Sequence, residues 1–278
     1  MPSDPGALHL TLLSTLVIYG LDEPFCLPDK LIRNNRLLKC VRICSCPKLR
    51  SLTPEFRNLA SLTFLSIHWC EDLTLLSEEF ENLTSLEVLE IGDCNSVKVL
   101  PENLLGSLKS LQDLSIENCS SLEAISFGFQ PLTALKHLSI MYCPRLAALP
   151  NNLENLSALL SLTIISCPVI EYLPEGIKNL KKLGSLEIRS CPRLKDLPEW
   201  LDSLASSLTT FTLSDCPDLK SLPVALRRLT KLQQLTIQDC PDLQKRCQKD
   251  RGEDWWKVSH IRYRYIFSSG PQQSRNLA

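Results

Sequence analysis

Nine cysteines in this chain fall at regular intervals. Cys46, Cys70, Cys94, Cys119, Cys143, Cys167, Cys191, Cys216 and Cys240 are separated by steps of 24 or 25 residues. No catalytic site needs nine equivalent thiols at such an interval. A chain that winds once per step does need them, because each turn returns the same position to the same surroundings. A fixed period of this size marks a solenoid.

Aligned on the cysteines, the chain reads L-x-x-L-x-I-x-x-C-P-x-L-x-x-L-P. One copy runs Leu135, Leu138, Ile140, Cys143, Pro144, Leu146, Leu149, Pro150, and another Leu183, Leu186, Ile188, Cys191, Pro192, Leu194, Leu197, Pro198. A degenerate first copy, Leu13, Leu16 and Ile18 with Leu21 in the cysteine slot, brings the number to ten. Around L-x-I the apolar residues alternate, which predicts a short strand. After the cysteine they recur every third residue, and prolines mark the corners, which predicts a turn and a short helical or irregular return. Equivalent strands then stack in parallel at about 4.8 Å. A thin strand on one side and a bulkier return on the other bend the stack into an arc. One copy cannot bury enough apolar surface to order itself, so stability belongs to the array.

This frame resembles the leucine-rich repeat. The resemblance implies an α/β solenoid, a curved horseshoe with a parallel β-sheet on its concave face and short helical or irregular segments on its convex face. The C-P-x-L form and the returns Leu173-Pro174-Glu175 and Leu197-Pro198-Glu199 resemble the C-terminal region of plant intracellular nucleotide-binding leucine-rich-repeat disease resistance proteins, the coiled-coil subclass above all. The segment Cys240-Pro241-Asp242-Leu243, Lys245-Arg246-Cys247, Gly252-Glu253-Asp254-Trp255, Val258-Ser259-His260-Ile261 is similar to a common ending of that family. The implied function is protein recognition in innate immunity: binding a pathogen effector or a guarded host protein, and regulating a nucleotide-binding switch domain. A stand-alone scaffold or adaptor without immune signalling is the alternative.

Leucine and isoleucine of each strand face the core, so the residues between them face the hollow of the arc. Three columns result. They vary freely while the core does not, as expected of a constant scaffold presenting a variable surface. The first half of the columns carries Tyr19, Arg42, Phe64, His68, Val88 and Glu90, with Trp69 beside them; further along come His137, Met141 and Ile165. Aromatic residues and arginine are common interface anchors, which makes these the candidate protein-binding residues. The plainer reading is strand filler, since aromatics favour strands. The last copies offer mostly Ser, Thr and Gln.

Thirty basic and 31 acidic residues leave a net charge of −1, which gives no electrostatic case for nucleic acid. The apolar stretch from Ala7 to Tyr19 has no basic residue before it and is too short to span a bilayer, so neither a signal peptide nor a membrane span is expected. The expected location is the cytoplasm. The sequons at Asn82, Asn118 and Asn155 are accordingly expected to stay unmodified, two of them being products of the recurring N-L-x-x-L element. Thirteen cysteines would suit a disulfide framework. Stacked equivalents, however, lie about 4.8 Å apart with parallel side chains, whereas a disulfide needs Cβ atoms converging to about 3.8 Å. Buried free thiols are expected instead.

No enzyme is expected. There is no P-loop, and His260 after Ser259 has no acidic partner placed for a triad. Cys40, Cys44 and His68 all face the hollow, but their spacing matches no zinc finger, and neither metal nor cofactor is expected. The repeats are expected to end at Gln244–Cys247, giving a repeat domain over 1–247, a capping segment over 248–266 and a disordered tail over 267–278. The basic tail with Trp255 and Trp256 could alternatively lie on a membrane surface. An uncovered first repeat, with no nucleotide-binding domain before it, suggests a fragment of a longer receptor.

Overall fold

The computed structural model describes residues 13–23, 25–74, 80, 82–100, 105–126, 132–150 and 152–269. The chain forms two compact units, residues 1–135 and 136–278. In the first, β1 (Thr15–Tyr19), β2 (Cys40–Cys44), β3 (Phe64–His68), β4 (Val88–Gly92) and β6 (Asp113–Glu117) pair in parallel in that order. Two-residue strands β5 (Val99–Leu100) and β7 (Ala124–Ile125) pair separately. In the second, β8 (His137–Met141), β9 (Ser161–Ile165), β10 (Ser185–Arg189), β11 (Thr210–Ser214), β12 (Gln234–Gln238) and β13 (Tyr263–Phe267) do the same. Every pairing is in register by repeat: Leu65 meets Val41 and Leu89, and Leu186 meets Leu162 and Phe211. The alternation explains the choice. Leu65 and Ile67, Leu89 and Ile91, and Leu186 and Ile188 are all buried. A slip of one residue would expose every one of them.

The returns are short. In the first unit they include helix α1 (Asp29–Arg33) and a 3-10 helix, Pro54–Asn58. In the second they are 3-10 helices at Leu153–Asn155, Glu175–Asn179, Glu199–Leu204 and Val224–Arg228. Pro174, Pro198 and Pro223 stand at the N-caps of the last three, where a missing N–H costs nothing. The Glu199 carboxylate accepts hydrogen bonds from the amides of Val224 and Ala225 at 2.9 and 2.8 Å. It thereby satisfies two orphan donors at the start of the next coil's helix.

The nine cysteines of the ladder are all fully buried. Each Sγ donates to the carbonyl two residues before it, from Cys46 to Cys44 O (3.4 Å) through Cys240 to Gln238 O (3.3 Å). The residue between takes a left-handed conformation in all nine copies, with φ of 50–55°. Gly20, at φ 68°, does so in the first copy. The thiol therefore closes the tight turn that ends each strand. All thirteen cysteines are free. Burial pushes the Cys167 thiol up to about 12 and Cys191 to about 11.

Beyond β12 the leucine frame fails, yet the ladder continues. Helix α2 (Pro241–Arg246) and helix α3 (Trp255–Val258) lead into β13, which pairs in parallel with β12. The boundary expected at 266/267 thus cuts a strand, because Phe267 belongs to β13 and Ser269 hydrogen-bonds Asp239. The remainder of the expected disordered tail, 270–278, lies outside the described residues. The frame hid β13 because its exposed positions are aromatic and its alternate positions are half-buried Arg264 and Ile266 rather than leucines. Among the described residues no helix is long and apolar enough to cross a membrane.

Candidate protein-binding face

The columns expected from the frame are real ladders. In the first unit they run Thr15–Cys40–Phe64–Val88–Asp113, Val17–Arg42–Ser66–Glu90–Ser115 and Tyr19–Cys44–His68–Gly92–Glu117. Seven predicted site residues, Tyr19, Arg42, Phe64, His68, Trp69, Val88 and Glu90, sit on these ladders or at the turn beside them. Tyr19 is 73% exposed. The Arg42 guanidinium lies 4.8 Å from the centroid of the Phe64 ring, a cation–π contact between neighbouring strands.

His68 is the centre of a second group. Its ring is 5.5 Å from that of Trp69, tilted by 47°. Nε2 is 3.9 Å from Glu90 Oε2, and Nδ1 is 3.8 Å from Asp93 Oδ2. The ring lies across Gly92, where an added Cβ would overlap it. Gly92 and Asp93 thus belong to this group, although the sequence marked neither. The available signal was a glycine in a column that otherwise carries side chains.

Trp69 is 54% exposed and holds φ at 54°. At the same turn the other first-unit copies use Gly20 or the small polar residues Ser45, Asp93 and Asn118, which tolerate the left-handed region. A tryptophan there is strained, and backbone strain held at an exposed position points towards function.

The other three predicted residues lie in the second unit. Met141 faces Ile165 across β8 and β9, while His137 faces Ser161. Exposed Tyr142 stands beside Met141 and, like Trp69 in its own unit, adopts a left-handed φ of 54°. At the end of this unit the ladders finish in Tyr263, Tyr265 and Phe267 of β13, all exposed. Sequence reasoning missed these three, although Tyr-Arg-Tyr-Ile-Phe alternates like a strand.

Cys40, Cys44 and His68 do not converge on one point. Cys44 and His68 are register partners, but Cys40 pairs with Phe64 at the other end of the strand, about 13 Å from Cys44. Among the described residues no group of three or more His, Cys, Asp or Glu could hold a metal ion.

Parallel strands repeating every 24 or 25 residues, each closed by the same turn, define a leucine-rich-repeat protein. Solved structures agree. The leucine-rich-repeat domain of the type III effector XopL is 21% identical, with a TM-score of 0.56 over 95% of this chain and 77% of that one. A chain of the Drosophila Toll–Spätzle complex is 17% identical, with a TM-score of 0.58 over 91% of this chain and 36% of that one. At these identities the likeness concerns the fold. Comparison with curated proteins gives no match. The family described as plant disease resistance protein RPS2-like, leucine-rich repeats, matches residues 55–199, and the chain belongs to it.

Proposed function

We propose that this chain is the recognition module of a plant disease resistance receptor that acts in the cytoplasm. It binds a pathogen effector, or a host protein that such an effector targets, and regulates a nucleotide-binding domain of the same receptor. Its role is binding rather than catalysis. The observation that carries this reading is strained, exposed Trp69 beside His68, next to a sheet face on which Arg42 is stacked on Phe64. Membership of the resistance-protein family supports the immune setting. Exposed aromatics and arginine on a rigid sheet are suited to anchor a protein partner.

The test is proximity labelling in infected leaf tissue with the full chain and with a triple variant, Arg42→Ala, Phe64→Ala and Trp69→Ala. Wild type should enrich a pathogen or host protein that the variant loses, with both folding alike by circular dichroism. An unchanged set of labelled proteins would overturn the proposed site. A lost partner with no effect on a co-expressed nucleotide-binding domain would favour an adaptor role.

A further inference from the structure

A second site lies at the end of the second unit, on the edge of β13. Among the described residues β13 has a neighbour on one side only, β12. The Tyr263 amide donates to the Gln233 carbonyl at 2.8 Å, so by alternation the amides of Arg264 and Ile266 point away from β12. Such an edge is a template for another extended chain.

Its surroundings select the chain it would take. A cleft of about 810 Å³ lies beneath β13, lined by Arg264 and Ile266 from the strand, Lys245 from α2, and Lys249 and Trp255 beyond it. None of its lining residues is acidic. Lys245 and Lys249 are exposed, and no ion pair engages either among the described residues. Arg264 is stacked at 5.0 Å from the Trp255 ring and donates to the Ser259 and Ile261 carbonyls, which fixes a positive charge at the wall. The opposite face of β13 presents exposed Tyr263 and Tyr265, while Phe267, at the strand's end, borders the cleft. The cleft side of the edge thus carries Lys245, Lys249 and Arg264 with no acidic residue, and the other side carries the two tyrosine rings, with Arg262 over Tyr263 at 5.0 Å.

We infer that the β13 edge binds an extended segment of a partner protein in which acidic and apolar residues alternate. The segment adds as a parallel or antiparallel strand. Its acidic side chains point into the cleft towards Lys245 and Lys249, and its apolar side chains lie beside Tyr263 and Tyr265, since side chains of a strand alternate between faces. Charge complementarity chooses this occupant over the chain's own residues 270–278, which carry Arg275 and no acidic side chain. The site is independent of the Arg42–Trp69 face.

The test uses the full chain and a labelled, capped peptide of alternating glutamate and valine, about six residues long, followed by fluorescence anisotropy. Saturable binding is expected, weakening as salt rises. Lys245→Glu with Lys249→Glu should weaken it at least about tenfold. Ile266→Pro should abolish it, since proline removes an outward amide while leaving the β12 ladder intact; an unchanged melting temperature verifies the fold. A peptide N-methylated on alternate amides should fail to bind. The inference is overturned if the N-methylated peptide binds equally, if Ile266→Pro binds as wild type does, or if a single-stranded oligonucleotide competes as well as the peptide. Dimerisation of the chain that the peptide cannot displace would overturn it in favour of a second copy on this edge.

Discussion

Arg246 holds Asp254 through two parallel hydrogen bonds, Nε to Oδ2 at 2.9 Å and Nη2 to Oδ1 at 3.1 Å. Asp254 is fully buried and also accepts from the Leu222 amide at 2.9 Å, while Lys257 Nζ lies 2.7 Å from Oδ1. One carboxylate thus ties α2 and α3 to the turn before the Val224–Arg228 helix. Gly252 belongs to the same unit, since a Cβ there would run into the Arg246 carbonyl. The Arg246, Gly252 and Asp254 positions of the C-terminal motif are therefore explained by one buried ion pair and the bend that reaches it.

Removing the carboxylate leaves Arg246 and Lys257 without their buried partner. Arg246 keeps Glu253 and Lys257 keeps the Leu222 carbonyl, so Asp254→Ala is expected to cost about 1–3 kcal/mol, measured by urea unfolding. Burial alone would raise this carboxyl group's pKa, but Arg246, Lys257 and the Leu222 amide hold it below the usual range. Its contribution is then complete above the unfolded value, about 3.9, and is lost as pH falls through the lower folded value. The stability gap between wild type and Asp254→Asn should accordingly narrow in acid.

Glu199 links neighbouring coils through its bonds to the Val224 and Ala225 amides. Glu199→Ala should destabilise the second unit by about 1–2 kcal/mol, because two helix-terminal donors lose a charged acceptor. Glu175→Ala is the control. Its exposed carboxylate pairs with Lys178 on the same short helix, and the change should leave the melting temperature nearly unmoved. Equal effects in a thermal melt would show that the bond between coils contributes nothing.

The repeating core was legible because a period-two strand and a cysteine marker recur in nearly every copy. Leu65, Ile67 and Cys70 say the same as Leu186, Ile188 and Cys191, so one error cannot hide the frame. Register followed, and with it the columns that carry Arg42, Phe64 and His68. Gly92 and Trp69 show where such reading stops. The role of Gly92 depends on a ring from the neighbouring strand, and the strain at Trp69 depends on a backbone angle. β13 stayed hidden because it carries no leucine at all. Its place is set by pairing with β12, a long-range fact that local pattern does not encode.

The buried thiols make the array sensitive to alkali. Burial pushes the Cys167 and Cys191 thiols up to about 12 and about 11 in the folded state, against about 8.5 in an unfolded chain. A group that keeps its proton more tightly when folded stabilises the fold below the unfolded value and loses that contribution as pH rises through the folded one. Melting temperature should therefore fall between about pH 9 and 11, and less steeply in a Cys167→Ala, Cys191→Ala variant. At pH 8 the native protein should resist iodoacetamide at every ladder cysteine, with labelling confined to Cys26, Cys40 and Cys44, the three half-buried thiols. Mass spectrometry reads this directly.

Trp69 offers a test in which stability and binding move in opposite directions. Its left-handed φ costs a bulky residue about 1–2 kcal/mol, a penalty that asparagine largely escapes by bonding its own backbone. Asn118 already occupies the equivalent turn one strand beyond β4, at φ 52°. Trp69→Asn should thus raise stability by about 0.5–1 kcal/mol, even though it gives up the contact with the His68 ring. Trp69→Ala removes the same contact without relieving the strain and should not stabilise. If Trp69 anchors a partner, Trp69→Asn will fold better and bind worse, the signature of a site held at the expense of stability. A Trp69→Asn variant that melts no higher than Trp69→Ala would show that the turn carries no strain. One that retains the partner would place the anchor elsewhere on the face.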